Sequence, residues 1–238
     1  MIVIKNTEFF KKAIETISSF VPEGNMRFSE KGIYFKAVDP SQVVLVDYFI
    51  DKKIFDEYDL EPNFVGIDLV ELNKIIQRIL PKDKLIISLS DAELKIKLDS
   101  DLKRSFRLPL IDVSGEEAKT PDIKYDSKIS ISSVSLKEIL RDAKLFGSSV
   151  ILKIIDEKFF LEARGSQGTM DSEATSVSKI ESSKNIHSKF SLSFFQTIIN
   201  GADISEKILL ELKNDSPMRV SYNIGQSKIT FYLAHMLL

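Results

Sequence analysis

The chain carries one structural plan twice. An amphipathic segment opening at Thr7 (TEFFKKAIETISSF) and a second at Asp68 (DLVELNKIIQRIL) are answered by one at Ser135 (SLKEILRDAKLF) and another at Ser191 (SLSFFQTIINGA). Each is followed by short β-rich runs. Residue identity between the halves is poor, so order and spacing carry the repetition, and self-similarity of this length points to two equivalent domains rather than one irregular fold. A doubled unit with two free ends can also tile into a ring. At 238 residues, 43% of them hydrophobic, each half has the material for a core of its own.

The four segments place apolar residues at helical spacing: Phe10, Ala13, Ile14 and Ile17; Leu69, Leu72, Ile76 and Ile79; Leu136, Leu140 and Ala143; Leu192, Phe195 and Ile199. Thr7, Asp68, Ser135 and Ser191 are suitable N-caps, Glu71 stands at capping-box spacing from Asp68, and Pro81 is expected to close the second helix. Alternating runs lie between them, such as MRFSEKGIYFKAV and KLIISLSDAELKIKL in the first half and VILKIIDEKFFLEAR and KITFYLA in the second. Tight punctuation at Glu30-Lys31-Gly32, Ser90-Asp91 and Ile224-Gly225-Gln226 suits antiparallel hairpins. The pattern predicts an α+β fold of two similar domains, each with antiparallel sheets and helices on one face. The polar, aperiodic stretch SGEEAKTPDIKYD reads as an exposed connector. Domains are therefore expected at 1–113 and 126–238, joined by a connector at 114–125.

With 33 Lys+Arg against 35 Asp+Glu the net charge is −2, so bulk positive charge does not hold a polyanion, and distribution has to be read instead. Lys137, Arg141 and Lys144 form one basic stripe on the third helix; Lys74 and Arg78 do so on the second, with Lys82 just beyond; Lys11 and Lys12 sit on the first. The fourth helix has no charge, its polar positions being Ser193, Gln196 and Asn200. These stripes suit either ordinary solvated helix faces or a surface that meets a polyanion. Cysteine is absent, which excludes disulfides, thiolate nucleophiles and cysteine metal sites and makes an intracellular setting the simpler one. No apolar run reaches the length of a membrane span, and MIVIKNTEFF lacks the features of a signal peptide, so the chain reads as soluble and unexported. Enzymatic signatures are missing too: there is no GxxxxGK[ST], and Gly165-Ser166-Gln167-Gly168 lacks the lysine of a phosphate loop. Only His187 and His235 could serve as imidazole bases, and Asp99 and Asp101 better suit a strand-to-strand turn than a metal site. No catalytic residue, metal or cofactor is expected, although a spatially assembled hydrolase site would leave no such signature.

Three strings resemble the PCNA-type sliding clamps of archaea and eukaryotes. KGIYFKAVDPSQVVLVDYFI (31–50) is similar to the clamp segment ending in an outer-face loop, FRLPLIDV (106–113) to the strand entering the interdomain connector, and SPMRVSYNIGQSKITFYLA (216–234) to the C-terminal hairpin. Each string is short; their order and spacing along the whole chain, with the duplication, make the resemblance specific.

The resemblance implies three subunits closing head-to-tail around duplex DNA, helices lining the hole and sheets outside. Lys11, Lys12, Lys74, Arg78, Lys82, Lys137, Arg141 and Lys144 would then face DNA, holding phosphates without reading sequence. The strand Lys103 to Leu108, including Phe106, would pair with a neighbour's strand around Thr175 to Lys179, including Val177. Internal or protected edge strands of a monomer are the alternative that the residues leave open. Client enzymes would dock a peptide against Val38, Val43, Leu45, Pro217, Tyr232, Leu233 and Ala234, apolar residues that core packing would explain as well. The implied partners are duplex DNA, the replicative DNA polymerase, other enzymes with a clamp-binding motif and an ATP-driven clamp loader, with no cofactor, and the implied location is with the chromosome. A specialised clamp subunit, obligately heterotrimeric or of checkpoint type and acting mainly in protein assembly, is the alternative. Two features depart from the family pattern: the tail His235-Met236-Leu237-Leu238 and the uncharged fourth helix.

Overall fold

The computed structural model describes residues 1–113, 118–174 and 178–237. The first half runs β1 (Ile2–Ile4), α1 (Glu8–Ser18), β2 (Glu23–Ser29), β3 (Gly32–Val38), β4 (Val44–Asp51), β5 (Glu57–Tyr58), β6 (Asn63–Asp68), α2 (Leu69–Ile76), β7 (Lys84–Leu89), β8 (Glu93–Asp99) and β9 (Arg104–Pro109). The second repeats that order with β10 (Ser127–Ser132), α3 (Ser133–Ala143), β11 (Ser149–Ile155), β12 (Lys158–Gly165), β13 (Gly168–Glu173), β14 (Ser178–Ser182), β15 (Ile186–Ser191), α4 (Leu192–Asn200), β16 (Lys207–Leu212), β17 (Met218–Ile224) and β18 (Ser227–Leu233), and adds β19 (His235–Met236). Strand neighbours repeat as well. The row β5-β1-β7-β8-β9 corresponds to β14-β10-β16-β17-β18, and β4-β3-β2-β6 to β13-β12-β11-β15. The ladders are antiparallel, as the hairpin punctuation requires. The fold is therefore α+β with two similar domains, in agreement with the sequence reading.

By packing, the chain forms two compact units. One comprises Met1–Gln42, Val46–Lys119 and Ile224–Ile229; the other comprises Val43–Leu45, Thr120–Asn223 and Thr230–Leu238. In the first, α1 and α2 pack together and bury Phe10, Ala13, Ile14 and Ile17 with Leu69, Leu72 and Ile76. In the second, α3 and α4 do the same with Leu136, Leu140 and Ala143 and with Leu192, Phe195, Ile198 and Ile199. The Tyr222 hydroxyl donates to Ile198 O at 2.7 Å and ties α4 to β17.

Two helix boundaries differ from expectation, each because of a partner distant in sequence. The third helix starts after Ser132 rather than at Ser135. Its first residue, Ser133, is buried; its N–H donates to Glu206 O at 3.1 Å and its hydroxyl to Asp203 O at 2.6 Å, so residues after α4 fix the start. The second helix is capped as expected, Asp68 Oδ1 accepting the Glu71 N–H at 2.8 Å, but it ends at Ile76, well before Pro81. There the Arg104 guanidinium donates to Arg78 O at 2.9 Å and Asp83 accepts the Leu80 N–H at 2.7 Å, giving the last turn alternatives to helical hydrogen bonds. At Gly66 of β6 a side chain is impossible: a Cβ would lie 2.2 Å from Ile111 O, and it is here that the Ile111 N–H donates to Gly66 O and pins the entry to the connector.

Asp83 is the centre that joins this turn to β9. It is buried, accepts from Ser100 Oγ at 2.6 Å and forms an ion pair with Arg104. Burial works against its charge, but the hydrogen bonds from Ser100 and the Leu80 N–H, with the Arg104 charge, outweigh it and hold the carboxyl below the usual range. A carboxylate depressed in the native state stabilises fully above its unfolded value of about 4 and loses that contribution as the pH falls through its native value. Asp83→Asn is expected to cost about 3 kcal/mol in urea unfolding at pH 7, and to remove part of the stability loss that the parent chain shows below about pH 4.

Candidate DNA-facing and peptide-docking surfaces

The basic residues expected to face DNA fall into two groups. Lys74, on α2, and Arg78 and Lys82, just beyond it, are exposed; so are Arg141 and Lys144 at the end of α3. Lys74 pairs with Glu71 and Arg141 with Glu138, each one turn earlier, yet the Arg141 side chain stays 71% exposed. The Glu71 contact keeps Lys74 more firmly protonated than a free lysine. Lys11, Lys12 and Lys137 are half-buried. Lys12 lies 4.0 Å from Glu15, and the Lys137 ammonium donates to Ala202 O at 2.6 Å, just past the end of α4. A cation at that place meets the negative end of the helix dipole.

This contact accounts for the uncharged fourth helix. Its Gln196 amide donates to Leu140 O on α3 at 2.9 Å, so α3 and α4 exchange polar contacts instead of presenting two charged faces. Lys137, Arg141, Lys144, Gln196 and Asn200 line a hollow of about 250 Å³ between them.

The residues expected to receive a client peptide mostly belong to the second unit. Val43 and Leu45 run beside the end of β18, where the Ala234 N–H donates to Val43 O at 2.9 Å. Tyr232 and Leu233 alternate across the strand. Leu233 follows Ile229 and Phe231 into the core and has 0% exposure; Tyr232 points to the opposite face and, like Leu45, is itself buried. Pro217 is half-buried immediately before β17. Val38 ends β3 in the first unit and is 39% exposed. The connector residues Pro121, Ile123 and Tyr125 are half-buried and alternate with exposed Asp122 and Lys124, an extended run outside any assigned ladder. Sequence reasoning missed the group around its end. Arg219 on β17 makes a bidentate ion pair with buried Glu211 on β16, and its guanidinium lies 4.9 Å from the centre of the Tyr125 ring. The cross-strand register, Glu211 opposite Arg219 and Lys128 opposite Glu211, was not accessible from spacing.

The strands expected at a subunit boundary are at sheet edges. Lys103 precedes β9, the last strand of its row; Phe106 is half-buried and Leu108 buried, while Ser105 and Arg107 are exposed. Lys179 lies in β14, also a terminal strand, and pairs with Glu181 at 3.0 Å. Thr175 and Val177 lie outside the described residues. A further edge belongs to β13, whose Thr169, Asp171 and Glu173 are exposed and alternate with half-buried Gly168, Met170 and Ser172. Asp99 ends β8 and pairs with Lys97 at 3.7 Å. No group of acidic or histidine side chains among the described residues could hold a metal, and no helix among them is long and apolar enough to cross a membrane.

The family model for the N-terminal domain of proliferating cell nuclear antigen (PCNA) matches residues 2–115, and that for its C-terminal domain matches residues 119–236. The DNA polymerase sliding clamp of Methanococcus maripaludis is 32% identical over 240 residues, covering 96% of each chain. That of Pyrococcus horikoshii is 30% identical, covering 98% of this chain and 96% of the relative. Among solved structures, PCNA from Thermococcus kodakaraensis superposes with a TM-score of 0.93 at 23% identity over 99% of both chains. PCNA from Entamoeba histolytica gives 0.91 at 24% identity, covering 99% of this chain and 98% of that one, and at such identities the likeness speaks to the fold.

The two kinds of basic residue should separate experimentally. Lys137→Met is expected to destabilise the second unit by about 1 kcal/mol, since it removes the cation from the end of α4. Arg141→Ala is expected to leave the thermal midpoint unchanged within error; equal effects in thermal unfolding would assign Lys137 to the solvated face.

Proposed function

The chain belongs to the PCNA family of DNA sliding clamps, and from that premise we propose that three copies close into a ring around duplex DNA and tether the replicative polymerase and other DNA enzymes to it. Tethering turns repeated encounters with the primer end into an effectively intramolecular event, which raises processivity without any chemistry in the ring. Loading would fall to a separate ATP-driven enzyme, and the site of action would be the chromosome inside the cell. Lys11, Lys12, Lys74, Arg78, Lys82, Arg141 and Lys144 would face the duplex, with Lys137 bracing the helix pair behind them. Val38, Val43, Leu45, Pro217, Tyr232, Ala234 and the connector edge would receive client peptides, above Leu233. The domain division 1–113, connector 114–125 and 126–238 belongs to the same reading.

The observation that carries the ring is the fate of equivalent strands in the two halves. In the repeat, β9 corresponds to β18 and β13 to β4. The end of β18 is hydrogen-bonded to the start of β4 through Ala234 and Val43, whereas β9 and β13 each end a row. The same pairing between β9 of one copy and β13 of the next would close the ring. This equivalence favours Gly168–Glu173 as the neighbour's strand over the expected stretch Thr175 to Lys179. Side chains support it: Lys103 and Arg107 are basic, Asp171 and Glu173 acidic, and Phe106 and Met170 are half-buried on their strands. Opposite charges across strands contribute about 0.2–1 kcal/mol each, enough to orient a contact that the backbone ladder makes.

Light scattering after size exclusion should give three times 27.0 kDa, about 81 kDa. Reversing Asp171 and Glu173 to Arg should release monomers, and adding Lys103→Glu and Arg107→Glu in the same chain should restore the trimer. A stable monomer of the parent chain would favour a heterotrimeric clamp subunit. Separately, changing Lys74, Arg78, Arg141 and Lys144 together to Ala should leave the mass unaltered and reduce clamp loading and clamp-dependent stimulation of a polymerase; unchanged stimulation would overturn the DNA-facing assignment.

A further inference from the structure

The connector ends at Tyr125, and the way it is held there bears on docking. Downstream, the backbone is secured: the Asp126 N–H donates to Leu212 O at 3.0 Å, and Asp126 O accepts the Ser183 N–H at 3.0 Å. Tyr125 itself has a buried hydroxyl with no hydrogen-bond partner among the described residues, so its ring is positioned by packing and by the Arg219 guanidinium over it. Arg219 is in turn immobilised. Glu211 fixes two of its nitrogens, is almost wholly buried, and has Lys128 at 3.8 Å on its other side. The hydrogen bonds from Arg219 to Glu211 strengthen its hold on its proton. One guanidinium therefore links β16, β17 and the last residue of the connector.

We propose that Arg219 is a positioning residue for client docking: clamped by Glu211, it holds Tyr125 in the arrangement that receives a peptide, and so sets client affinity without being an apolar anchor itself. The inference rests on the docking reading above. Two of its features follow from the chemistry of arginine. The planar guanidinium can stack on a ring while donating in its own plane to a carboxylate, which lysine cannot do. A partly buried cation over an aromatic face is a directional contact that favours one placement of the ring.

The test uses the full chain and a fluorescently labelled peptide of the clamp-binding segment of its cognate replicative polymerase, with binding read by anisotropy and connector order by amide exchange over residues 118–126. Arg219→Ala strands a buried carboxylate and can unfold the unit, so the informative variants are Arg219→Met with Glu211→Leu, which replaces the pair by apolar groups, and Arg219→Lys. The paired variant and Tyr125→Leu should each weaken the peptide about tenfold, mainly through faster release, and raise exchange in the connector to a similar extent. Combining them should weaken binding no further, because both remove one contact. Arg219→Lys should recover only part of the affinity. Affinity within twofold of the parent, additive losses, or faster exchange with unchanged affinity would each overturn the proposal. Failure of the parent chain to bind the peptide would overturn the docking reading and this inference with it, a result told apart by its appearing before any substitution.

Discussion

Backbone N–H and C=O groups at a sheet edge demand partners, and the duplicated topology makes that demand asymmetric here. Each half ends one row with a three-strand meander, β7-β8-β9 or β16-β17-β18, and begins the other with a second one, β4-β3-β2 or β13-β12-β11. For β18 and β4 the demand is met at Ala234 and Val43; for β9 and β13 it is left open. An open edge normally invites indiscriminate pairing. These two carry opposite charge, Lys103 and Arg107 against Asp171 and Glu173, so that in the proposed ring like edges would repel and unlike edges accept one another. The Asp83–Arg104 pair ties the open strand β9 to the turn after α2.

The repeat, the four helical stripes and the hairpin turns were legible in the sequence because they are local: period, cap and turn residue lie within a few positions of one another. Asp68 and Glu71 illustrate this, since their capping contact forms as spaced. What was not legible depends on residues brought together by the fold. Ser133 begins α3 because Asp203 and Glu206 reach it, and α2 stops at Ile76 because Arg104 and Asp83 supply partners to its last turn. Leu233 sat in an apolar cluster whose two faces no composition could separate; strand alternation puts it and Tyr232 on opposite faces, both of them buried. Lys137 looked like one more cation on a stripe until its ammonium was found at the end of α4. Arg219 gave no signal at all, since its meaning comes from Glu211 opposite and Tyr125 above.

The charge pattern poses the remaining question of how a chain with a net charge of −2 holds a polyanion. Tight binding would require many cations, each displacing counterions and each adding to a steep dependence on salt. Enclosure removes that requirement. In the proposed ring, escape along the radial direction would be blocked by backbone ladders between subunits, and the cations would need only to centre the duplex. Weak contacts to phosphate oxygens then become an advantage, because a strong one would arrest sliding. Seen this way the neutral fourth helix is no defect. Gln196 and Lys137 lock α3 to α4, which gives Arg141 and Lys144 a rigid platform while leaving the neighbouring surface without an anchor for the backbone. In the proposed ring, rigidity of the helix pair and sparseness of its charge would serve the same end, a surface that guides DNA without gripping it.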